Sequence, residues 1–183
     1  MKKFHFGSLI VLILLTLLGC QQNAVLSDEL NLNKDIEGFV EPESSDWVKY
    51  TNAVREYMYY RTQAMINKDI HILWERYPKL KENIDLEQGI NVEKSEVESL
   101  NQGFDLLDAN YNIESYDQIK ANAINDNEVI VLVHGNIAYL RNDFDESGGE
   151  YLMKVFLKKE DNQWTVIKTD EYTLPEYKEL FQE

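Results

Sequence analysis

Residues 128–141 read EVIVLVHGNIAYLR, fourteen positions dominated by β-branched and aliphatic side chains and free of proline. A run of that length and composition predicts a long strand. It constrains the fold because it does not stand alone. After Asn110 the rhythm of the chain has period two, and strands are predicted over 113–124, 128–141, 149–159 and 163–173. Between them lie Asn125-Asp126-Asn127, the DFDESGG stretch from Asp143, and Glu160-Asp161-Asn162, each with the composition of a hairpin turn. Connections this short leave only an antiparallel meander, since parallel pairing needs a crossover of a dozen or more residues.

The half before Asn110 has helical periods instead. Ser44-Ser45-Asp46 supplies a start signal, and Trp47, Tyr50, Val54, Tyr57 or Met58, and Met65 follow at spacings of three and four to about Asn67. Lys68-Asp69 breaks the pattern. Asp69 then suits the N-cap of a short helix, IHILWERY, that Pro78 ends. Residues 79–92 are charged and irregular. A third helix is expected from Glu93 to Asp108, with Val97, Leu100, Phe104 and Leu107 on one face despite Gly103. Leu174-Pro175 opens an expected C-terminal helix carrying Tyr177, Leu180 and Phe181. Helices first and a meander of strands after them imply an α+β domain over residues 46–183, N-terminal helices packed on a curved antiparallel sheet.

The long first helix, the segment KDIHILWERYP and four late strands ending in NQWTVIKTDEY resemble the nuclear transport factor 2-like superfamily over residues 46–173. The resemblance implies a cone-shaped roll, the architecture of ketosteroid isomerases, polyketide cyclases and many small exported bacterial domains. It rests on element order and the style of two segments, and transfers no catalytic residue.

The opposite end of the chain speaks to location. Lys2 and Lys3 precede an apolar run, LIVLILLTLL, that closes on Gly19 and Cys20. Ten helical residues rise about 15 Å, half of a roughly 30 Å hydrocarbon core, so residues 1–19 read as an export signal rather than a membrane span. Leu17-Leu18-Gly19-Cys20 resembles the lipobox of bacterial lipoproteins, although Leu18 is bulkier than is usual there. The resemblance implies that Cys20 is the lipidation site, carries a diacylglycerol (and palmitate) and becomes the first residue of a protein held on the extracytoplasmic face of the cell membrane. Gln21 leaves an outer-membrane destination open. Cys20 is the only cysteine, so no disulfide supports the domain. Residues 20–45 are acidic, polar and aperiodic and read as a flexible tether with a reach of about 25–30 Å.

The net charge of −15 becomes −17 when Lys2 and Lys3 leave with the signal. With no basic cluster, nucleic acid is excluded as a partner, and anionic lipid repels the domain. A cationic protein or peptide is a conceivable partner; simple solubility explains the acidity as well.

Motifs for chemistry are few. Asp143, Asp145 and Ser147 with Gly148 imitate the first half of an EF-hand loop, but Glu150 and Lys154 fall where an apolar residue and a bidentate acid belong, which rules the EF-hand out. His71 and His134 have no ligand or acid at a useful spacing, so no metal site and no catalytic triad is expected. Serine-nucleophile motifs and phosphate-binding glycine loops are absent, and no cofactor is expected. An acid or phenol inside the cone is the remaining route to catalysis; Asp117, Asp170, Tyr116, Tyr139, Tyr151 and Tyr172 lie on predicted strands, with none singled out. Tyr57-Met58-Tyr59-Tyr60 must turn at least one ring out of the core stripe. Three functions fit: a membrane-anchored binding module for a protein, peptide or small ligand; a protective, immunity-type lipoprotein that neutralises a cationic protein or peptide; and a small isomerase or cyclase.

Overall fold

A computed structural model describes residues 38–86, 88–101, 105–113 and 119–172. The first helix, α1, spans Ser44–Asn67. Its N-cap is Glu43, whose carbonyl accepts the N–H groups of Asp46 and Trp47 at 2.9 and 2.8 Å, so Ser44-Ser45-Asp46 forms the first turn rather than the cap. At the far end Lys68 turns left-handed at φ 55°, and the N–H groups of Lys68 and Asp69 return to Met65 and Ala64. That is a Schellman closure with lysine where glycine is usual. The N-cap of α2, His71–Arg76, is Ile70 rather than the expected Asp69, which lies one residue earlier and whose carboxylate accepts the His71 N–H at 2.9 Å. A 3-10 turn follows over Pro78–Glu82. The next helix, α3, is Val92–Leu100, capped by Asn91, whose side chain accepts the Lys94 N–H and also donates to the Leu80 carbonyl.

Here the structure departs from the expected third helix. It stops at Leu100, where the Asn101 amide donates to the carbonyls of Val97 and Met65. Leu106–Asn112 is instead a strand, β1. Leu106 and Ala109 are both buried three residues apart, a helix-like interval, because a bulge shifts the register between Leu106 and Asp108. Of the strand expected over 113–124, residues 119–124 fall in β2, Ile119–Asn125, Ile113 is not in a strand, and 114–118 lie outside the described residues. Strand β3 is Glu128–Arg141, β4 is Glu146–Glu160 and β5 is Gln163–Tyr172. β4 begins earlier than expected, taking in Glu146 to Gly148. Gly148, at φ 149°, fits there because a side chain would drive its Cβ to 2.0 Å from the Ile137 carbonyl oxygen. Asp161 and Asn162 both adopt positive φ, the signature of a type I′ hairpin turn. The expected C-terminal helix, the signal segment, Cys20 and most of the tether lie outside the described residues.

The sheet is antiparallel, and β3 is its spine. β4 and β5 follow on one side, while β1 and β2 share the other: β2 pairs with residues 128–133 and β1 with 136–141. Upstream of α1, Val40 bridges Ala121 of β2 through bonds of 3.0 and 2.8 Å. One face of the sheet carries Val129, Val131, Val133, Val155, Leu157 and Val166, all buried, and α1 covers it with Tyr50, Val54, Tyr57, Met58 and Met65. Leu73 and Leu80 close the core from α2 and the 3-10 turn. The domain is therefore α+β, helices packed on a curved antiparallel sheet in a cone-shaped roll.

Candidate functional site

The apolar stripe of α1 runs 50, 54, 57, 58, 65, and position 61, which completes its spacing, is an arginine. Arg61 is 2% exposed. A cation carried that far into a core requires partners. Its guanidinium pairs with Glu96 of α3 and, at 2.6 Å, with Glu171 of β5. It lies 5.5 Å from the ring centre of Tyr111 and 6.0 Å from that of Tyr57, with the Met153 sulfur 3.6 Å from Nη1. Burial alone lowers an arginine's proton affinity, but Glu171 and Glu96 outweigh it and hold the group above its ordinary value.

Period-two alternation explains how the sheet delivers these residues. Tyr111, Tyr139, Tyr151, Met153, Thr169 and Glu171 project from the face that α1 covers, and Met153 stands opposite Glu171 in the ladder. Tyr151 stands opposite Gly135 of β3. A Cβ at Gly135 would lie 2.6 Å from the Tyr151 hydroxyl and from the Asn112 carbonyl, so glycine is what allows the phenol to lie across the sheet. Tyr111 and Tyr151 meet edge to face at 5.7 Å.

A second cluster adjoins the first. Glu93, one turn before Glu96–Val97, is fully buried. Its Oε1 accepts the Thr169 hydroxyl at 2.6 Å and the Asn83 amide at 2.8 Å, and Asn83 also donates to the Thr169 carbonyl at 3.1 Å. Burial raises the Glu93 carboxyl above its usual range, against the pull of those two donors. Burial likewise pushes Glu96 up, to about 7, with Arg61 opposing and Glu171 reinforcing. The phenol of Tyr139 is pushed up to about 12, again chiefly by burial, and those of Tyr57, Tyr111 and Tyr151 are raised further by the same cause.

The face that α1 covers thus gathers one guanidinium, three carboxyls and four phenols, with Arg61 and Glu93 buried and Glu171 reaching solvent. Of the strand residues named from sequence, Tyr139 and Tyr151 belong to it. Asp170 and Tyr172 alternate to the other face, and Asp117 and Tyr116 lie outside the described residues. His71 is exposed on α2 against Trp74, and His134 is half-buried on the opposite sheet face, beside Leu152 in the ladder. The Asp143 carboxylate takes the Asp145 N–H and the Arg141 guanidinium. Among the described residues no group of three or more His, Cys, Asp or Glu is placed to hold a metal ion. Arg61, Glu93, Glu96 and Glu171 are the site residues that sequence reasoning missed. The signal was present: an arginine completing the stripe of α1, and acids one turn apart on the Val97–Leu100 face.

None of the protein-family models and none of the curated proteins matches this chain. Solved structures similar to it include Aln2 from a Streptomyces species, 7% identical, with 72% of this chain and 93% of that one aligned at a TM-score of 0.47. An NTF-2-like protein of unknown function from Shewanella oneidensis MR-1 is 11% identical over 66% of this chain and 97% of its own, with a TM-score of 0.39. The association domain of C. elegans CaMKII is 12% identical over 72% and 100%, with a TM-score of 0.41. At these identities and scores the likenesses carry no argument about what this chain does.

Proposed function

We propose that this chain is a membrane-anchored extracytoplasmic binding module, held by a diacylglycerol on Cys20 and presenting the α+β roll to a protein, peptide or small ligand. The observation that carries the binding half is the pairing inside the cone. Arg61 is spent on Glu96 and Glu171, and Glu93 on Asn83 and Thr169, so these groups brace the fold. A domain whose concave face is locked by its own ion pairs is pre-organised, and pre-organisation is what a binding surface needs. The anchoring half rests on the lipobox-like LLGC at 17–20. Among the described residues no helix is long and apolar enough to cross a membrane.

The test is metabolic labelling of the full chain with an alkyne fatty acid in a bacterial host, followed by protease treatment of intact cells or spheroplasts. Label on the wild type, none on Cys20→Ala, and cleavage from outside support the reading. Unlabelled protein that stays protected inside the cell refutes it.

One observation favours a second reading, a small isomerase-type enzyme. Glu96, held near 7 beside Arg61, has the proton affinity of a general acid–base at neutral pH. That reading requires Glu96→Gln to abolish turnover while leaving substrate affinity intact. The protective reading draws on the net charge of −15 and requires salt-sensitive capture of a basic protein.

A further inference from the structure

Away from the ion pairs, the N-terminal half of α1, the β2–β3 turn and the β4–β5 turn enclose an open groove of about 750 Å³. That lies within the roughly 300–1,000 Å³ typical of small-ligand sites. We propose that this groove binds a short, uncharged oligosaccharide. The proposal rests on the binding-module reading and names the ligand class for it.

The argument is one of chemical matching. The charges at the groove's helical wall are already spent: Asp46 pairs with Lys49 at 2.7 Å and Glu56 with Arg76 at 2.7 Å. What remains is one carboxylate, Asp126, and one ammonium, Lys159, of opposite sign, so the groove selects for no net charge. Beside the Tyr50 hydroxyl and the Trp164 N–H the other polar groups are amides, and that of Asn125 is already tied to Glu128 and the Asn127 N–H. Asn52 on α1 and Asn162 and Gln163 on the hairpin line the groove, and among the described residues none of their side chains is tied to another group. An amide offers both a donor and an acceptor, the two functions that a hydroxyl needs to be held on both sides. A phosphate or carboxylate ligand would use only the donors and leave the carbonyl oxygens facing its charge.

The groove also has an apolar platform. Trp164 is half-buried, and Tyr50 packs edge to face against it at 5.4 Å and 77°. Its ring is therefore fixed before a ligand arrives, which suits the C–H face of a pyranose. Asn162 sits on a defined backbone: with φ 65° in the type I′ turn, the hairpin sets where its side chain leaves the chain. Amides, a balanced charge pair and one immobilised indole in a groove of this volume together describe a site for a ligand rich in hydroxyls and poor in charge.

The experiment is calorimetric titration of the full chain in detergent with three neutral trisaccharides: cellotriose, maltotriose and triacetylchitotriose. The expected result is saturable binding of at least one, with Kd of about 1 mM or tighter and little dependence on salt. Asn52→Ala, on an exposed helical position, and Asn162→Gly, which keeps the turn, should each weaken it by about tenfold. Tyr59→Ala, on an exposed ring outside the groove, should leave it unchanged. No saturable heat with any of the three up to about 10 mM overturns the proposal, as does affinity unaltered in both amide variants. Failure here with Cys20 lipidated and the domain outside the cell removes the sugar and leaves the anchored module. Sugar binding by a chain that is never lipidated does the reverse.

Discussion

Replacing Arg61 with methionine keeps the length and apolar stem of the side chain and deletes its charge. Glu96 then loses its counter-ion inside the cone, and Glu171 loses the guanidinium 2.6 Å away. Breaking a buried pair from one side costs about 3–5 kcal/mol, because the partner is left charged and desolvated. At pH 8 the variant should lose that amount. The loss should also depend on pH, and in a definite direction. Glu96 already titrates near 7 in the folded protein against an ordinary value of 4.5, a difference of about 3 kcal/mol. A carboxyl whose folded value is raised binds protons more tightly when folded. Acidification from about pH 8 toward pH 4.5 therefore stabilises the fold, and alkali destabilises it. Without Arg61 the folded value rises further, so Arg61→Met should regain at least half of its loss between about pH 8 and pH 5. Urea unfolding followed by tryptophan fluorescence at several pH values measures both quantities. Arg61→Met combined with Glu96→Gln and Glu171→Gln removes the charges together and should recover most of the stability at pH 8. A loss below about 1 kcal/mol at pH 8, or a triple variant no better than the single one, would refute the account of the cluster.

Glu96→Gln alone, which leaves Arg61 paired with Glu171 at 2.6 Å, should flatten the pH dependence of unfolding between about pH 5 and pH 8; a titration of the two proteins side by side shows it. Gly135→Ala pushes a Cβ against the Tyr151 phenol and the Asn112 carbonyl and should cost about 1–3 kcal/mol in denaturant. Leu73→Ala empties a fully buried position and should cost about 2–5 kcal/mol, with no change in the pH profile. Asn83→Ala removes one donor to Glu93, so it should shift the Glu93 carboxyl further up and destabilise by about 1–3 kcal/mol, read by NMR titration and urea unfolding.

Sequence periodicity located α1, α2 and the three long strands, because there the local pattern and the tertiary environment agree. β3 came out at its observed limits, since both of its ends fall at turn residues. The stretch from Leu106 to Asp108 was misread for a physical reason. A bulge in β1 spaces two buried residues by three, and no local signal distinguishes that from a helix. Nor does anything local say that two short strands divide one edge of β3 between them; that is a property of the partner. The site was half readable. Its tyrosines sit on strands whose alternation fixes their side, once the register is known. Arg61, Glu93 and Glu96 sit where a hydrophobic stripe leads one to expect apolar residues. A stripe with a charge in it looks like a fault in the pattern until three such faults face one another.

The bridge between Val40 and Ala121 has a mechanical consequence. Among the described residues, tension that arrives at Val40 from the N-terminal side is met by that bridge before it reaches α1 at Ser44. While the bridge's two backbone hydrogen bonds hold, the load is passed sideways into the β2 edge and not along residues 41–43 to the helix that carries Arg61, so the ion pairs behind that helix are shielded from a pull on Val40.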